Sequence, residues 1–283
     1  MSKIALVTDS TASMPQELVD KYGIIVAPQI LLWDKDTYED GVNITPSEFY
    51  TRIKKTTVMP STTQVTVAKF HEIYQSLLAQ DCQILTIIIS AKLSGTLNSA
   101  LQAKAMQPAS APIEIIDSNS TAMALGFQVV TVARAIQQGA TFPECVALAV
   151  KAKEHTGIFF AVDTLEFLHR GGRIGGATRF LGTMLNFKPI LELRDGRVEA
   201  IERVRTRGKS LSRIVELAVE QIGSRTPVRL SALHANAPED AKLVLQEAAA
   251  KLHPIETVFS EVSPVVGVHA GPGVVGIVYM AGM

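Results

Sequence analysis

Short apolar runs that end in polar turns recur through the first half of the chain. Ile4 to Val7 is followed by the polar residues Thr8 to Thr11, and Pro15 to Tyr22 then begins with the proline and glutamate typical of a first helical turn. The same order of strand, polar turn and helix recurs after Ile84 to Ile89 and after Ile113 to Ile116. Strands that alternate with helices predict a parallel sheet, whose ligands bind beyond the carboxyl ends of the strands.

The second half of the chain has a different pattern. Ile158 to Val162 and Val228 to Leu233 are apolar runs that predict strands. Pro189 to Leu193 and Arg197 to Val204 flank Asp195-Gly196, a dipeptide that favours a tight turn between antiparallel strands. This half is therefore predicted to contain a hairpin and an antiparallel component.

Two helices are predicted among these strands. Pro238-Glu239-Asp240 has the composition of a first helical turn and precedes a stretch rich in alanine and leucine that runs to Leu252. The other helix is indicated by apolar residues at the 3.6-residue spacing, namely Leu211, Ile214, Val215, Ala218, Val219 and Ile222.

The fold class expected from these patterns is α/β with two domains. A chain of 283 residues can bury two apolar cores. We predict a parallel-sheet α/β domain over residues 1–150 and an α/β domain with a mixed or antiparallel sheet over residues 151–283. The boundary is placed within or after the amphipathic stretch from Pro143 to His155, since no glycine- or proline-rich linker marks it.

Composition narrows the classes of partner. Lysine plus arginine and aspartate plus glutamate both total 27, so no global field attracts the chain to nucleic acid or to an anionic membrane. The hydrophobic fraction of 47% and the charged fraction of 19% argue against disorder and leave apolar surface to line a cavity. Cys82 and Cys145 lie far apart and near no metal-ligand spacing, so we expect buried thiols and no metal site.

The N-terminal segment argues for a cytoplasmic location. The apolar run from Ile4 to Val7 is too short for the core of a signal peptide, and no uncharged apolar run reaches 18 residues. We therefore expect a cytoplasmic protein.

Several familiar motifs fail on inspection. Gly271-Pro-Gly273-Val-Val-Gly276 matches the dinucleotide pattern, but the seven residues after it leave no room for the helix that would face a pyrophosphate. Gly208-Lys209-Ser210 lacks the first glycine of a phosphate-binding loop, because Arg203 occupies that position. The sequence therefore predicts neither a nucleotide nor a metal cofactor.

Three polar segments leave alternatives open. Ser94 lies at a strand-to-helix junction, where a serine either caps the helix or contacts an anion. Pro60-Ser61-Thr62-Thr63-Gln64 is a polar turn that either binds a ligand or caps a helix beginning near Val67. His269 lies in an almost entirely apolar segment, where a histidine is more often a core residue than a catalytic one.

Arginine and lysine form two basic clusters in this neutral chain. A solvated face is the ordinary explanation, and contact with phosphate is the sharper alternative. The clusters comprise Arg170, Arg173, Arg203, Arg205, Arg207 and Lys209.

Taken in order and spacing, these segments resemble the DegV family from about Lys3 to Ala281. The resemblance is carried by the following segments: Asp9-Ser10-Thr11-Ala12, Pro60-Ser61-Thr62-Thr63-Gln64, Leu93-Ser94-Gly95-Thr96, Leu168-His-Arg170-Gly-Gly-Arg173-Ile174, Lys188-Pro189 and His269-Ala-Gly-Pro-Gly273. The combination is far more specific than any single motif. His169 departs from the lysine that is common beside Arg170 in the family.

The resemblance implies a two-domain α/β fold with a long-chain fatty acid, such as palmitate, buried in a tunnel between the domains. It implies that Thr62 and Ser94 hydrogen-bond the carboxylate, with His269 nearby. It also implies a carrier that presents the acid to a separate fatty acid kinase, which forms an acyl phosphate. On this interpretation the protein has no cofactor, admits a transient membrane contact and is not itself an enzyme.

The physical case for this function lies in the ligand. A sixteen-carbon acid buries roughly fifteen apolar carbons, which at about 0.8 kcal/mol each contributes about 12 kcal/mol before any cost. Neutral hydroxyl donors satisfy the carboxylate without a tight ion pair, so the headgroup stays available for chemistry. The apolar candidates for the tunnel, each with core packing as its commoner explanation, are Phe159, Phe160, Phe167, Phe180, Leu181, Met184, Leu185 and Phe187.

Two arginines complete the hypothesis. Arg170 and Arg205 are expected near the exit of the headgroup, where they assist the partner or the developing acyl phosphate, because guanidinium groups bind phosphate in a forked geometry.

An acyl hydrolase is the alternative function. In it Ser94 attacks, His269 acts as the base and Asp9 orients the imidazole. A self-sufficient kinase is less well supported, since the sequence shows no nucleotide loop.

Overall fold

A computed structural model describes residues 3–180 and 187–283. The strands are β1 (Ile4–Asp9), β2 (Ile25–Ala27), β3 (Ile30–Trp33), β4 (Asp36–Glu39), β5 (Ser61–Thr63), β6 (Gln83–Ile88), β7 (Ile113–Asp117), β8 (Thr156–Ala161), β9 (Lys188–Arg194), β10 (Arg197–Val204), β11 (Val228–His234), β12 (Glu256–Glu261) and β13 (Val275–Ala281). The helices are α1 (Gln16–Tyr22), α2 (Pro46–Ile53), α3 (Val67–Leu78), α4 (Thr96–Ala105), α5 (Ala122–Gln137), α6 (Phe142–Ala152), α7 (Glu166–Arg170), α8 (Arg207–Ile222), α9 (Pro238–Leu252) and α10 (Pro264–Ala270).

The first half contains the predicted parallel sheet. Its four strands lie in the order β2-β1-β6-β7, and all three pairings are parallel. The central strands β1 and β6 are buried along most of their length because helices cover the faces of the sheet, as parallel sheets require. The polar residues after β1, β6 and β7 consequently meet at one edge, where a ligand was expected.

A small antiparallel sheet in the first half was not predicted. It has the order β4-β3-β5, and its strands are only three or four residues long. Thr62 lies on β5 opposite Leu31, so the segment expected to be a turn is an edge strand. The capping alternative for this segment is wrong, since the Thr66 hydroxyl caps α3 by accepting the Lys69 N–H at 3.1 Å.

The second half forms a mixed six-stranded sheet of order β10-β9-β8-β13-β11-β12. Only β11 and β12 pair in parallel, so the predicted antiparallel component is confirmed. The predicted hairpin is also present, because β9 and β10 pair around Asp195 and Gly196, both of which have positive φ. Both predicted helices are present as α8 and α9, and they pack together on one face of the sheet.

Three elements near the C-terminus were missed, and strand β12 is the first of them. The glycine-rich segment after Gly271 leads into β13, a fully buried central strand, and not into a nucleotide-binding helix. Helix α10 is seven residues long and almost entirely apolar, so no polar face gave it a helical period.

One apolar core contains residues from both halves. Leu31, Trp33 and Phe49 from the first half pack in the same cluster as Phe160 and Leu191 from the second. The proposed division at residue 150 falls within α6, and the two-domain description stays a prediction. Within the described residues, no helix is long and apolar enough to cross a membrane.

Candidate ligand-binding site

A cavity lies between the carboxyl edge of the parallel sheet and the six-stranded sheet. Its walls enclose about 910 Å³ of atom-free space, including the part that opens to solvent. Polar residues from both halves line part of the cavity, and the apolar residues of its lining are mainly Ile89, Leu93, Ile158, Phe160, Leu168, Leu193, Val198, Leu233, Val262, Val265, Val266 and Val274.

Thr62, Ser94 and His269 all line this cavity. The Thr62 hydroxyl and the His269 Nε2 atom are 2.7 Å apart, although 207 residues separate them in the chain. Thr62 comes from β5 and His269 from the end of α10, so the pair joins the two halves directly across the cavity. The structure thus brings together the three residues that the sequence nominated.

His269 is held as a neutral imidazole. Burial and, as the smaller cause, the positive charge of Arg173 together lower the pKa of His269 to about 4. The Nδ1 atom is buried and has no hydrogen-bond partner among the described residues. A Cβ atom at position 171 would lie 2.1 Å from Nδ1, so Gly171 is what leaves room for the ring.

Acidification is expected to destabilise the protein through His269. The ordinary histidine pKa of 6.5 applies to the unfolded chain, and the folded-state pKa is about 4. As pH falls, the unfolded state therefore binds the proton before the folded state does. The stability that is present above the unfolded-state pKa is lost as pH falls toward the folded-state pKa. The loss is at most about 3 kcal/mol. Chemical unfolding of wild type and His269→Gln at several pH values measures it, and equal slopes for both proteins would contradict it.

Ser94 takes part in the helix start, and its contact with an anion stays a prediction. Its hydroxyl accepts the N–H of Thr96 at 3.3 Å at the start of α4, and it lies 2.9 Å from the Thr96 hydroxyl. It also reaches the amide oxygen of Gln29 at 3.5 Å. Ser94 therefore stabilises the helix start and presents its hydroxyl to the cavity.

Gln29 and Asp9 are site residues that the sequence did not assign to ligand binding. Gln29 lines the cavity and is almost fully buried, and its amide nitrogen donates to the Asp9 carboxylate at 3.3 Å. Asp9 also accepts the N–H groups of Thr11 at 2.9 Å and Ile89 at 2.8 Å. Burial raises the pKa of Asp9, while these donors lower it. The sequence singled out Asp9 as part of a DegV motif and as the residue that orients the imidazole in the hydrolase alternative, and Gln29 not at all.

The arginines differ in their relation to the cavity. Arg173 lines it, and its guanidinium donates to the carbonyl oxygens of Leu93 at 2.9 Å and Gly171 at 2.6 Å. Arg170 is exposed and paired with Glu166 at 2.7 Å, and it lines a shallower pocket shared with Thr62 and His269. Arg205 is exposed after β10 and belongs to the lining of neither space.

The apolar tunnel candidates fall into different environments. Phe160 lines the cavity, and Phe167 lines the shallower pocket. Phe159 points to the other face of β8, where its ring centroid lies 6.4 Å from that of Tyr279 in a separate core. Phe180 packs against the shared core, and the Arg203 guanidinium lies 5.5 Å from the ring of Phe187. Leu181, Met184 and Leu185 lie outside the described residues.

The hydrolase arrangement is not assembled. The Nε2 atom of His269 faces Thr62, and the Asp9 carboxylate is occupied by Thr11, Gln29 and Ile89. Over residues 3–180 and 187–283, no three His, Cys, Asp or Glu side chains are grouped so as to hold a metal ion. The geometry therefore provides hydrogen-bond donors for a ligand carboxylate but does not activate a nucleophile.

Comparison with known proteins identifies the family. The model of the DegV family, described as an uncharacterised protein family, matches residues 3–282. The chain belongs to the DegV family. The DegV protein of Bacillus subtilis is 33% identical over 97% of this chain and 98% of its own length.

Two solved DegV structures are similar over nearly the whole chain. A DegV family protein from Thermus thermophilus, described for its fatty acid binding, has a TM-score of 0.93 and 32% identity and covers 99% of both chains. DegV of Bacillus subtilis, described as a fatty acid binding protein, has a TM-score of 0.90 and 31% identity, over 99% of this chain and all of that one. The resemblance found in the sequence and the predicted DegV α/β fold are both confirmed.

Proposed function

We propose that this protein binds one long-chain fatty acid, with the tail in the cavity and the carboxylate on Thr62 and Ser94. The observation that carries the proposal is the composition of the lining, in which Thr62, Ser94 and His269 share one cavity with a majority of apolar side chains. Similar DegV proteins are described as fatty acid binding proteins, which supports the same ligand class here.

Affinity comes from the tail. About fifteen buried carbons contribute about 12 kcal/mol before the cost of ordering the chain and the ligand is subtracted. Apolar side chains on strands of the six-stranded sheet, such as Phe160, Leu193 and Val198, supply the surface for that burial.

The headgroup is held by neutral donors. A proton on Nδ1 of His269 would be a buried donor without a partner, whereas Nε2 faces the Thr62 hydroxyl, so the single proton of the neutral ring is placed on Nε2. Nε2 then donates to the Thr62 oxygen, and the Thr62 proton is free for the carboxylate. Ser94 accepts the Thr96 N–H and donates its own proton to the second carboxylate oxygen.

A carrier role follows from the same geometry. The carboxylate end lies beside the shallower pocket that Arg170 and Arg173 line, so a separate kinase can reach it there. Arg173 is better placed than Arg170 to face a developing acyl phosphate, because it lines both spaces. Contact of Arg170 and Arg205 with the kinase, a transient membrane contact and a cytoplasmic location complete the proposal.

The direct test is native mass spectrometry of the purified protein, followed by lipid extraction. We expect a mass increment corresponding to one fatty acid for each chain, and the extracted acid identifies the tail. A protein that carries no acid and takes up none from palmitate would exclude the proposal. Incubation of the loaded protein with a fatty acid kinase and ATP tests the carrier role separately.

A further inference from the structure

Helix α10 is one wall of the cavity and carries His269 near its end. Val265, Val266 and His269 face the cavity. The other side of the helix packs against the first half of the chain, so closely that a Cβ at Gly267 would lie 2.5 Å from the Tyr50 hydroxyl oxygen. A seven-residue helix is only about 10 Å long. The contacts that hold the first turn of α10 therefore affect the position of the His269 imidazole.

Asp40 lies at the start of that helix. It follows β4 and is 2% exposed. One carboxylate oxygen accepts the Ser10 hydroxyl at 2.7 Å, and the other accepts the Val265 N–H at 3.4 Å. The Ser263 hydroxyl is buried beside the carboxyl and lowers its pKa, although it makes no hydrogen bond of good geometry.

The other groups that hold this segment are neutral. The Tyr50 hydroxyl donates to the Val262 carbonyl oxygen at 3.1 Å, and the Ser263 N–H donates to the Ser13 hydroxyl at 3.3 Å. Asp40 is thus the charged member of a set of polar contacts that joins the start of α10 to the first half.

We infer that Asp40 is a positioning residue for the carboxylate site: its ionised carboxylate holds the first turn of α10 and so sets the place of His269 relative to Thr62. This inference rests on the proposed function and adds to it a group that does not touch the ligand. It also makes affinity depend on pH through a residue outside the cavity lining.

The charges around Asp40 define the pH range. Burial raises the pKa of Asp40 to about 6, and the charge of Asp9 on β1 acts in the same direction, while the Ser10, Ser263 and Val265 donors lower it. From α2, Tyr50 faces the carboxyl as a neutral phenol, because burial, Glu261 on β12 and Asp40 itself all raise the pKa of Tyr50. On α10, His269 is already neutral throughout this range.

Protonation of Asp40 weakens its contact with the first turn of α10 without unfolding the chain. A protonated carboxyl loses the charge that strengthens its bonds to Ser10 and Val265. The folded-state pKa is above the ordinary value of 3.8, so the folded state binds this proton first and Asp40 adds stability as pH falls through about 6. Affinity is therefore expected to fall with pH while this group's contribution to stability rises.

The test compares Asp40→Asn with Asp36→Asn, which makes the same change at an exposed position on β4. Palmitate affinity is measured by displacement of a fluorescent fatty acid between about pH 5 and pH 8, so that the titration of palmitate itself is common to all proteins. On acidification, wild type and Asp36→Asn are expected to lose roughly 5- to 10-fold more affinity than Asp40→Asn, whose affinity is already low at the upper end of the pH range. Tyr50→Phe is expected to weaken binding at every pH and to show the same loss of affinity on acidification as wild type.

A second measurement needs only wild-type protein and protects the test if Asp40→Asn does not fold. The imidazole ¹⁵N resonances of His269 are expected to shift with a midpoint near the Asp40 titration, while the ring stays neutral. Resonances that do not move in that range, or identical affinity profiles for Asp40→Asn and wild type, would overturn the inference. Failure of wild type to bind palmitate at any pH would instead remove the proposed function, and the resonance measurement would still decide the role of Asp40.

Discussion

Replacing Leu193 by tryptophan is expected to remove most of the affinity for palmitate while leaving the fold intact. Leu193 on β9 lines the cavity and pairs across the hairpin with Val198, which lines it too. A tryptophan that displaces about four methylene groups of the tail costs about 3 kcal/mol, which is about a hundredfold in the dissociation constant. Titration with palmitate measures the effect, and octanoate, whose tail is shorter, is expected to lose less.

The matched control for this variant is Leu243→Trp, the same change at an exposed position on α9. Its melting temperature and palmitate affinity are expected to equal those of wild type. If Leu193→Trp is folded and binds palmitate as tightly as the control does, the tail lies elsewhere and the cavity is not its site.

Removal of the headgroup hydroxyls is expected to have the second largest effect. Thr62→Ala and Ser94→Ala each delete one hydrogen bond to a charged group, worth about 1.5 to 3 kcal/mol, or roughly 10- to 100-fold in affinity. The double variant is expected to lose less than the product of the two, because both hydroxyls contact one carboxylate. Isothermal titration with palmitate and the lipid content of the purified variants measure the losses.

Two comparisons isolate the hydroxyl group from the fold. Thr62→Ser keeps the hydroxyl and is expected to retain most of the affinity, while Thr37→Ala makes the alanine change at an exposed position on β4 and is expected to have no effect. The methyl ester of palmitate has no charged headgroup, so it should bind wild type and the double variant with nearly equal affinity. Undiminished fatty acid in Thr62→Ala and Ser94→Ala would contradict the headgroup assignment.

Strands and helices were predictable where the hydrophobic pattern extended over several consecutive residues of the chain. Four to eight apolar residues followed by a polar turn indicated β1, β6, β7 and β8, and Asp195-Gly196 indicated the hairpin, because each signal depends on neighbours in the chain. The three-residue strand β5 had no such signal, since its residues are Ser-Thr-Thr and its strand pairing depends on Leu31 and Leu32, about thirty residues earlier.

The residues of the candidate site were likewise predictable only in part. Motif positions nominated Thr62, Ser94 and His269, and the structure brings all three to one cavity. Nothing local indicated that Gln29 lines it, and the basic cluster did not distinguish Arg173 from Arg170. That distinction depends on which arginine points inward, and the direction is set by the Gly171 and Leu93 carbonyl oxygens.

By itself the sequence determined the family, the alternation of strands and helices, and the three residues proposed to meet the headgroup, because these depend on local order and spacing. Only the tertiary structure decided that a 2.7 Å contact joins residues 62 and 269 and that His269 is neutral. It also decided that Asp40 contacts the first turn of the helix that carries His269. The physical reason is burial: desolvation, charge proximity and packing depend on which distant segments meet, and the order of residues along the chain does not specify them.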